Sequence, residues 1–259
     1  MKKMIALLLC LVLAAVAAFA VAEGESDKAY VVGKGKLIVG ITDFAPMDFK
    51  NEAGEWIGFD ADLARAFAAS LGVEVEFQEI DWDNKIFELN GKSIDCVWNG
   101  MTLTDEVLSA MTCSKAYMNN AQTVVMRTDK IEEYYTVESL SSLVFAVEAG
   151  SAGEAVVNGL GYQTNAVQNQ AAALMEVKAG TSDAAVIDAL MAAAMVGEGT
   201  SYADLTYTLP LNEEQYGVGF RTGSDLAAEL DAFLAASAAD GSLLKIAETY
   251  GVQAALIME

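Results

Sequence analysis

The stretch that decides the fold of this chain reads Trp98-Asn99-Gly100-Met101-Thr102-Leu103-Thr104-Asp105-Glu106. It follows a mostly apolar run over residues 94–98, which has the length and composition of a buried strand. The strand ends at a glycine, and two threonines and two acids come directly after it. Backbone N–H groups, hydroxyls and carboxylates therefore emerge at the carboxyl end of a strand, where α/β sheets place their ligand sites.

Outward from this stretch, strands alternate with helices. Predicted strands cover residues 37–41, 73–77, 94–98, 121–126, 143–147, 184–187 and 216–221, and predicted helices begin near 60, 83, 150, 169, 191, 225 and 243. Asp60 is the expected N-cap of the first of these helices. This alternation is typical of an α/β fold whose sheets are mainly parallel and connected by helical crossovers.

The amino terminus has the features of a secretory signal peptide. Lys2 and Lys3 precede an apolar run over residues 5–18, and small residues suited to cleavage follow at 18–22. We therefore assign residues 1–22 to a signal peptide. Cys10 lies inside the apolar run and follows a leucine, so lipid attachment at Cys10 is not expected.

The chain is strongly acidic, with a formal net charge of −22, and it contains no histidine. Such a surface disfavours nucleic acids and anionic membranes, which need basic patches. It suits a soluble exported protein and weakly favours cationic ligands. The absence of histidine removes the commonest metal ligand and general base, and no metal or cofactor is expected.

Two cysteines remain after removal of the signal peptide, Cys96 on the strand before Trp98 and Cys113 after the loop. An oxidising compartment permits a disulfide between them. Two separately buried thiols are an equal alternative, because cysteine is a common core residue.

A second motif, Gly58-Phe59-Asp60-Ala61-Asp62-Leu63, precedes the first by about forty residues. Together the two motifs resemble the extracellular solute-binding proteins of polar amino-acid ABC transporters. The resemblance extends along nearly all of the chain after residue 22. It implies the two-lobed clamshell of periplasmic binding proteins, with two hinge strands and closure around a ligand.

The resemblance also implies an organisation and a role. Lobe one would comprise residues 28–125 and 218–259, lobe two residues 127–215, and the hinge strands would lie near 122–127 and 216–221. The protein would be a monomer in the periplasm or at the outer face of the cytoplasmic membrane. It would capture a polar or basic amino acid, or a related amine, and deliver it to an ABC permease.

In lobe one, the resemblance assigns ligand contacts to five positions. Phe44 and Trp82 match two aromatic walls around the ligand, and Asp43 would lie at the edge of the site. Gly100 and Thr102 match positions that hold the amino and carboxylate groups of the ligand.

In lobe two, Ser151 and Ala152 match the contribution of a helix start, where backbone N–H groups bind anions. Asp188 matches the acid that pairs with the α-ammonium group, since a carboxylate in an apolar run needs a cationic partner. Glu148 occupies a position that contacts the ligand side chain. An acid there favours a cationic or donor-bearing side chain.

Val107 departs from the family pattern, because relatives usually carry arginine there as a bidentate partner for the α-carboxylate. Three explanations are open. Backbone N–H groups near Thr102 and Ser151 suffice; an amide of Asn99, Asn119 or Asn120 assists; or the ligand lacks a free α-carboxylate.

Two other classes share this fold. A secreted dehydratase of the prephenate or arogenate type would use Glu148, Asp188 or Asp105 as a proton donor. A ligand-sensing domain would act on a separate membrane receptor. The missing arginine weakens the dehydratase hypothesis, because such substrates carry several carboxylates.

Overall fold

A computed structural model describes residues 26–134 and 136–258. The predicted signal peptide and Cys10 lie outside the described residues. In the described part of the chain, none of the helices combines the length and the apolar character needed to cross a bilayer.

The described elements alternate between strands and helices along the whole chain. The helices are α1 (Asp27–Lys34), α2 (Phe59–Ser70), α3 (Lys85–Asn90), α4 (Asp105–Ala110), α5 (Ala152–Gly159), α6 (Gln170–Ala179), α7 (Ala189–Met195), α8 (Leu226–Asp240) and α9 (Ser242–Tyr250). The strands are β1 (Lys36–Ile41), β2 (Phe49–Lys50), β3 (Trp56–Ile57), β4 (Glu74–Glu79), β5 (Cys96–Thr102), β6 (Thr112–Cys113), β7 (Met118–Asn120), β8 (Gln122–Arg127), β9 (Val144–Glu148), β10 (Gln163–Val167), β11 (Ala184–Asp188), β12 (Leu205–Pro210) and β13 (Glu214–Phe220). Short 3₁₀ turns cover Trp82–Asn84, Ile131–Glu133, Val137–Ser142 and Gln253–Ala255.

The first sheet has the order β4-β1-β5-β13-β6, and β7 also pairs with β13. Strands β1, β4 and β5 run parallel, whereas β13 is antiparallel to β5. Strand β5 is buried from Cys96 through Met101, as expected for a central strand covered on both faces. Its Trp98 ring lies 6.1 Å from the Phe67 ring of α2, which fixes the helix on the sheet.

The second sheet has the order β10-β9-β11-β8-β12. Strands β9, β10 and β11 are parallel, and β8 and β12 run antiparallel to their neighbours. Every residue of β11 is buried, so the strand delivers Asp188 to its carboxyl end inside the protein. The predicted α/β class is confirmed. The expectation of mainly parallel sheets is wrong, because each sheet joins three parallel strands to further strands that pair antiparallel.

The chain crosses between the two sheets in two short segments. Strand β7 pairs with β13 in the first sheet, and β8 pairs with β11 and β12 in the second, so one crossing lies at residues 120–122. The other lies at 210–214, between β12 and β13. These crossings differ from the predicted hinges near 122–127 and 216–221 and from the lobe boundaries at 125 and 218. The apolar runs there belong wholly to one sheet or the other, and the polar residues between them make the crossings.

Helix α2 begins two residues earlier than predicted. Its N-cap is Gly58, not Asp60, and a Cβ added to Gly58 would lie 2.1 Å from the carbonyl oxygen of Met47. Only glycine accepts both that approach and the φ of 133°. Asp60 is thereby moved into the helix, where its side chain is fully buried and faces β5.

The two cysteines are free thiols on either side of β13. Cys96 pairs in register with Phe220 of β13, and Cys113 pairs with Gly219. Because neighbouring strands lie about 4.8 Å apart, two strands separated by a third are about 10 Å apart. A disulfide needs Cα atoms within about 7 Å, so the alternative of two separate thiols is the one that fits.

This arrangement predicts that the chain lacking residues 1–22 contains two titratable thiols without prior reduction. We expect two equivalents to react with a thiol reagent after unfolding in guanidinium, because neither sulfur is paired. A Cys113→Ser variant, which removes the less buried thiol, serves as the control and should give one equivalent. If the chain, unfolded in guanidinium, showed no reactive thiol until a reductant was added, the result would contradict the strand order.

Candidate ligand-binding site

A cavity of about 220 Å³ lies where the carboxyl ends of β5, β9 and β11 meet. It is bounded by both lobes, so a ligand in it would contact both sheets at once. Eight of the ten residues predicted for the site line this cavity: Trp82, Asn99, Gly100, Thr102, Glu148, Ser151, Ala152 and Asp188. Residues predicted from both halves of the chain therefore lie together around one cavity.

Phe44 and Asp43 are not part of the cavity lining. The Phe44 ring is buried behind Gly100, where a Cβ added to the glycine would lie 2.4 Å from Cε1 of the ring. It also packs edge-on against Tyr216, with centroids 6.3 Å apart. Phe44 thus supports the floor of the cavity from below instead of forming a wall. Asp43 is half-buried, and burial raises its pKa.

The floor of the cavity is fixed by buried hydrogen bonds from lobe one. The Asp60 carboxylate accepts a hydrogen bond from the backbone N–H of Gly100 at 2.6 Å and another from the Tyr117 hydroxyl at 2.8 Å. Burial raises the pKa of Asp60 to about 7. These bonds hold Gly100 in a left-handed conformation, with φ of 54°, at the bottom of the cavity.

Asn99 has a structural task beside its place in the lining. Its amide nitrogen donates to Asp48 Oδ2 at 2.8 Å and to the Thr42 carbonyl at 3.1 Å. Its amide oxygen accepts from the Thr42 backbone and hydroxyl. Both N–H donors are therefore engaged within the protein. Asn99 consequently has no free donor for a ligand carboxylate.

Asp188 ends β11 inside a dense hydrogen-bond network. Its carboxylate accepts from the Tyr216 hydroxyl at 2.6 Å, from Asn120 Nδ2 at 2.5 Å and from Gln170 Nε2. Burial and the nearby Glu214 charge together raise the pKa of Asp188 to about 7. A carboxylate oriented by three donors, yet still reluctant to ionise, is suited to a cationic partner.

Glu148 ends β9 and is 3% exposed. Its Oε1 atom makes no hydrogen bond to any residue that the structure describes. Burial and the Asp188 charge together raise the pKa of Glu148 to about 8. A buried and unpartnered carboxylate oxygen is costly, so Glu148 lacks a donor that a ligand would supply.

Sequence reasoning missed Lys85, which also lines the cavity. Its ammonium donates to the Gly150 carbonyl at 2.9 Å and to the Trp82 carbonyl at 3.2 Å, and it lies 5.0 Å from the Trp82 ring centroid. Burial lowers the pKa of Lys85, while the charges of Glu106 and Glu148 oppose that effect. The sequence offered one clue, which is the position of this lysine three residues after the predicted wall Trp82.

Val107 lines the same cavity and is buried. It belongs to an apolar cluster with Trp82 and Met101, and its backbone N–H donates to the Thr104 hydroxyl at the start of α4. The position where relatives would carry arginine therefore does face the cavity. Its neutral side chain leaves an apolar wall there.

The start of α5 forms the side of the cavity that belongs to lobe two. Ser151 caps the helix by accepting a hydrogen bond from the Glu154 N–H at 3.0 Å. Gly150, with φ of 70°, lies directly on Asp83 of lobe one, and an added Cβ would come 2.6 Å from the Asp83 Cα. The two lobes thus touch at the edge of the cavity, beside the Lys85 ammonium.

The charges around the cavity are unequal. Four acids and one lysine line it: Asp105, Glu106, Glu148, Asp188 and Lys85. A wider space of about 1170 Å³ adjoins it and adds Glu213 and Glu214. Among the described residues, no group of three or more His, Cys, Asp or Glu side chains is arranged to hold a metal ion. The acids therefore fit an organic cation with room to extend.

Residues 37–253 match the bacterial extracellular solute-binding proteins, family 3. The chain belongs to this family. It is 29% identical over 248 residues to the arginine-binding extracellular protein ArtP of Bacillus subtilis, covering 92% of this chain and 95% of that protein. It is 29% identical over 219 residues to the histidine-binding periplasmic protein of Escherichia coli, covering 80% and 84%.

Solved structures of similar proteins have the same two-lobed architecture. A mutant of the arginine-binding protein ArgBP from T. maritima superposes with a TM-score of 0.81 at 31% identity, over 86% of this chain and 98% of that one. A substrate-binding protein of an ABC uptake transporter from Streptococcus pneumoniae, with bound histidine, gives 0.80 at 27% identity, over 87% and 96%. The predicted family and its clamshell fold are confirmed.

The unpartnered Oε1 atom of Glu148 predicts that this protein is less stable without its ligand. The pKa of Glu148 is raised in the folded chain, so ionisation opposes folding, and stability falls as pH rises from about 4.5 to about 8. At pH 8 the free energy of unfolding of a Glu148→Gln variant should therefore exceed that of the native chain by on the order of 1–3 kcal/mol. Near pH 4.5 the two free energies should be equal.

Urea unfolding at the two pH values measures this effect. The exposed Glu132→Gln change removes the same charge without touching the cavity, so it serves as the matched control. If Glu148→Gln and Glu132→Gln had equal effects at pH 8, the Glu148 carboxylate would not be unpaired in the folded chain.

Proposed function

We propose that this protein captures a cationic amino acid outside the cytoplasm and delivers it to an ABC permease. The observation that carries the proposal is the acidic cavity, in which the Glu148 Oε1 atom has no hydrogen-bond partner among the described residues. Relatives named for binding arginine, histidine and cystine support an amino acid with a polar or basic side chain. The raised pKa values of Glu148 and Asp188 support a ligand with more than one positive group.

In the proposed complex, Asp188 pairs with the α-ammonium group of the ligand. Tyr216, Asn120 and Gln170 already orient the carboxylate, so binding needs no rearrangement of that side chain. Glu148 accepts a hydrogen bond from the cationic end of the side chain. Trp82 offers an apolar ring in the lining, which suits a guanidinium or an imidazole.

Closure of the two lobes follows from the same contacts. Asp188 belongs to the second sheet, whereas Tyr216 belongs to the first, and the hydrogen bond between them joins the lobes. A ligand that contacts both sheets adds free energy only to the closed arrangement and shifts the population toward it. The closed lobes would then present one composite surface to the permease. We place the protein in the periplasm or at the outer face of the cytoplasmic membrane, acting as a monomer.

Binding, not catalysis, is the function that we propose. One structural relative is an ancestral amino-acid-binding protein, AncCDT-1, described as a precursor of cyclohexadienyl dehydratase, at 30% identity and a TM-score of 0.79. The raised pKa would suit Glu148 as a proton donor. However, only Lys85 among the lining residues is positive, and a substrate with several carboxylates would meet four acids.

The proposal predicts that ligand-stripped protein is stabilised by L-arginine more than by L-glutamate or L-leucine. A ligand that binds only the folded chain raises the melting temperature by mass action. Asp188→Asn should lower the affinity for arginine by at least a hundredfold, because the α-ammonium loses its charged partner. Thermal shift across L-arginine, L-lysine, L-histidine, L-cystine, L-glutamate and L-leucine, followed by calorimetric titration, measures both effects.

The exposed Asp204→Asn change removes one acid outside the cavity and should leave the affinity unchanged. A folded Asp188→Asn protein that binds arginine as tightly as the native chain would refute the assigned contact. Stabilisation by no amino acid in the panel would refute the proposed function itself.

The affinity should also depend on pH in a defined direction. In the empty cavity the pKa of Asp188 is about 7 and that of Glu148 about 8, so a cation must expel protons to bind at lower pH. We expect the dissociation constant for arginine to fall between pH 6 and pH 8, by at most about tenfold per pH unit for each carboxyl while the pH is below its pKa.

Isothermal titration at pH 6, 7 and 8, in buffers of different ionisation enthalpy, would report both the affinity and the protons released. The Glu148→Gln variant should release fewer protons and show a weaker pH dependence. A dissociation constant that is flat from pH 6 to pH 8 would mean that neither acid contacts the ligand charge.

A further inference from the structure

Lys85 lies at the point of the cavity where the two lobes meet, and nothing in the proposed function uses it. Resting on that proposed function, we propose that the Lys85 ammonium binds the α-carboxylate of the ligand. This assignment would make Lys85 a specificity-determining residue that selects amino acids over the corresponding amines. It also explains how the chain functions with valine at position 107.

The first argument concerns charge. An amino acid brings a carboxylate into a cavity whose other lining charges are all negative: Asp105, Glu106, Glu148 and Asp188. Val107 faces the cavity without a charge, and both amide donors of Asn99 are engaged within lobe one. Asn120 donates to Asp188 and Glu214, which occupies its amide as well. Lys85 is therefore the one charged donor in the lining that can receive an anion.

The second argument concerns geometry. An ammonium has three N–H donors, and two of those of Lys85 are directed to the carbonyls of Gly150 and Trp82. These two bonds hold the nitrogen beside the segment that leads into α5. The first N–H groups of that helix have no partners inside it and favour anions. Gly150, Ser151 and Glu154 already donate their backbone N–H groups within the protein. A carboxylate placed there would therefore receive the third Lys85 donor together with the N–H groups of Ala152 and Gly153.

The third argument concerns the cost of the arrangement. Lys85 is only 6% exposed, and burial lowers its pKa, so the charged form is disfavoured without compensation. Two carbonyls and the charges of Glu106 and Glu148 compensate in part. An anionic ligand group beside the ammonium would complete the compensation. A buried lysine that only packed its aliphatic chain would extend its ammonium to solvent.

A purely structural role is the competing explanation. Because Lys85 belongs to lobe one and Gly150 to lobe two, their hydrogen bond also fastens the closed lobes together. Loss of that bond would weaken every ligand to the same extent. Loss of a carboxylate contact would weaken only ligands that carry a carboxylate. Pairs of ligands that differ in this group alone therefore separate the two roles.

The test uses Lys85→Met, with L-arginine and its decarboxylated amine agmatine as the probes, in calorimetric titrations of ligand-stripped protein. We expect the variant to lose at least thirtyfold in affinity for arginine and less than threefold for agmatine. The exposed Lys115→Met change removes one positive charge elsewhere in lobe one and should alter neither affinity. Melting curves of all proteins establish that the variants are folded.

A second variant guards against an indirect effect of the mutation. Adding Val107→Arg to Lys85→Met places a guanidinium at another position of the cavity lining and should restore arginine binding to within tenfold of the native chain. Agmatine should gain nothing from the added arginine, because it has no carboxylate. Should Lys85→Met fail to fold, Val107→Arg alone serves as the second variant. It should lower the ratio of the dissociation constant for arginine to that for agmatine.

Three results would overturn the assignment. Equal losses for arginine and agmatine would identify Lys85 as a fastener between the lobes. An unchanged affinity for arginine in folded Lys85→Met would exclude any role in binding. Native protein that binds agmatine but not arginine would show that the cavity accepts amines alone. That last result also refutes the proposed capture of amino acids, whereas the first two leave it standing.

Discussion

A buried carboxylate, that of Asp188, links the two halves of this protein at both of the chain crossings. It ends the central strand of the second sheet, accepts a hydrogen bond from Tyr216 of the first sheet, and shares Asn120 with Glu214. Asn120 lies at one of the two crossings between the sheets, and Glu214 begins the strand that follows the other. Both crossings are thus linked to the residue proposed to bind the ligand ammonium. A change in the charge of Asp188 therefore alters hydrogen bonds at both crossings between the sheets.

The ligand-free cavity is destabilised by the groups that give it a function. The Asp188 charge raises the pKa of the buried Glu148, the Glu214 charge raises that of Asp188, and one oxygen of Glu148 has no partner among the described residues. Desolvated acids of this kind reduce the stability of the empty protein and gain most from a cation. The buried acids lower the stability of the empty protein. A cation that pairs with them removes this destabilisation, and the free energy recovered contributes to its binding. Affinity and selectivity for positive ligands therefore have one physical origin here.

The sequence predicted the site best where one local motif determines both backbone and chemistry. Gly100 and Thr102 end a buried strand, and Asp188 ends another, so their positions followed from the rule for carboxyl ends of strands. Phe44 lies beneath Gly100 because that glycine leaves space for the ring, a long-range contact that spacing does not reveal. The crossings lie outside the predicted hinge strands because strand pairing, not apolar content, decides which sheet a strand joins. Cys96 and Cys113 are separated by β13, which arrives from more than a hundred residues away.

The burial of Lys85 could not be predicted from the residues next to it in the sequence. A lysine on a short helix ordinarily lies in solvent, and nothing in its neighbours signals burial until Gly150 of the other lobe closes over it. Val107, by contrast, stands out in the sequence because it lacks the positive charge that relatives usually carry at this position. In a desolvated cavity, what matters is the position of charge in space, not the element that supplies it. A cation on α3 at the lobe junction and a cation on α4 in the apolar wall would face the same ligand carboxylate from different sides. With Lys85 the bond also joins the lobes through Gly150, so carboxylate recognition and closure depend on a single ammonium.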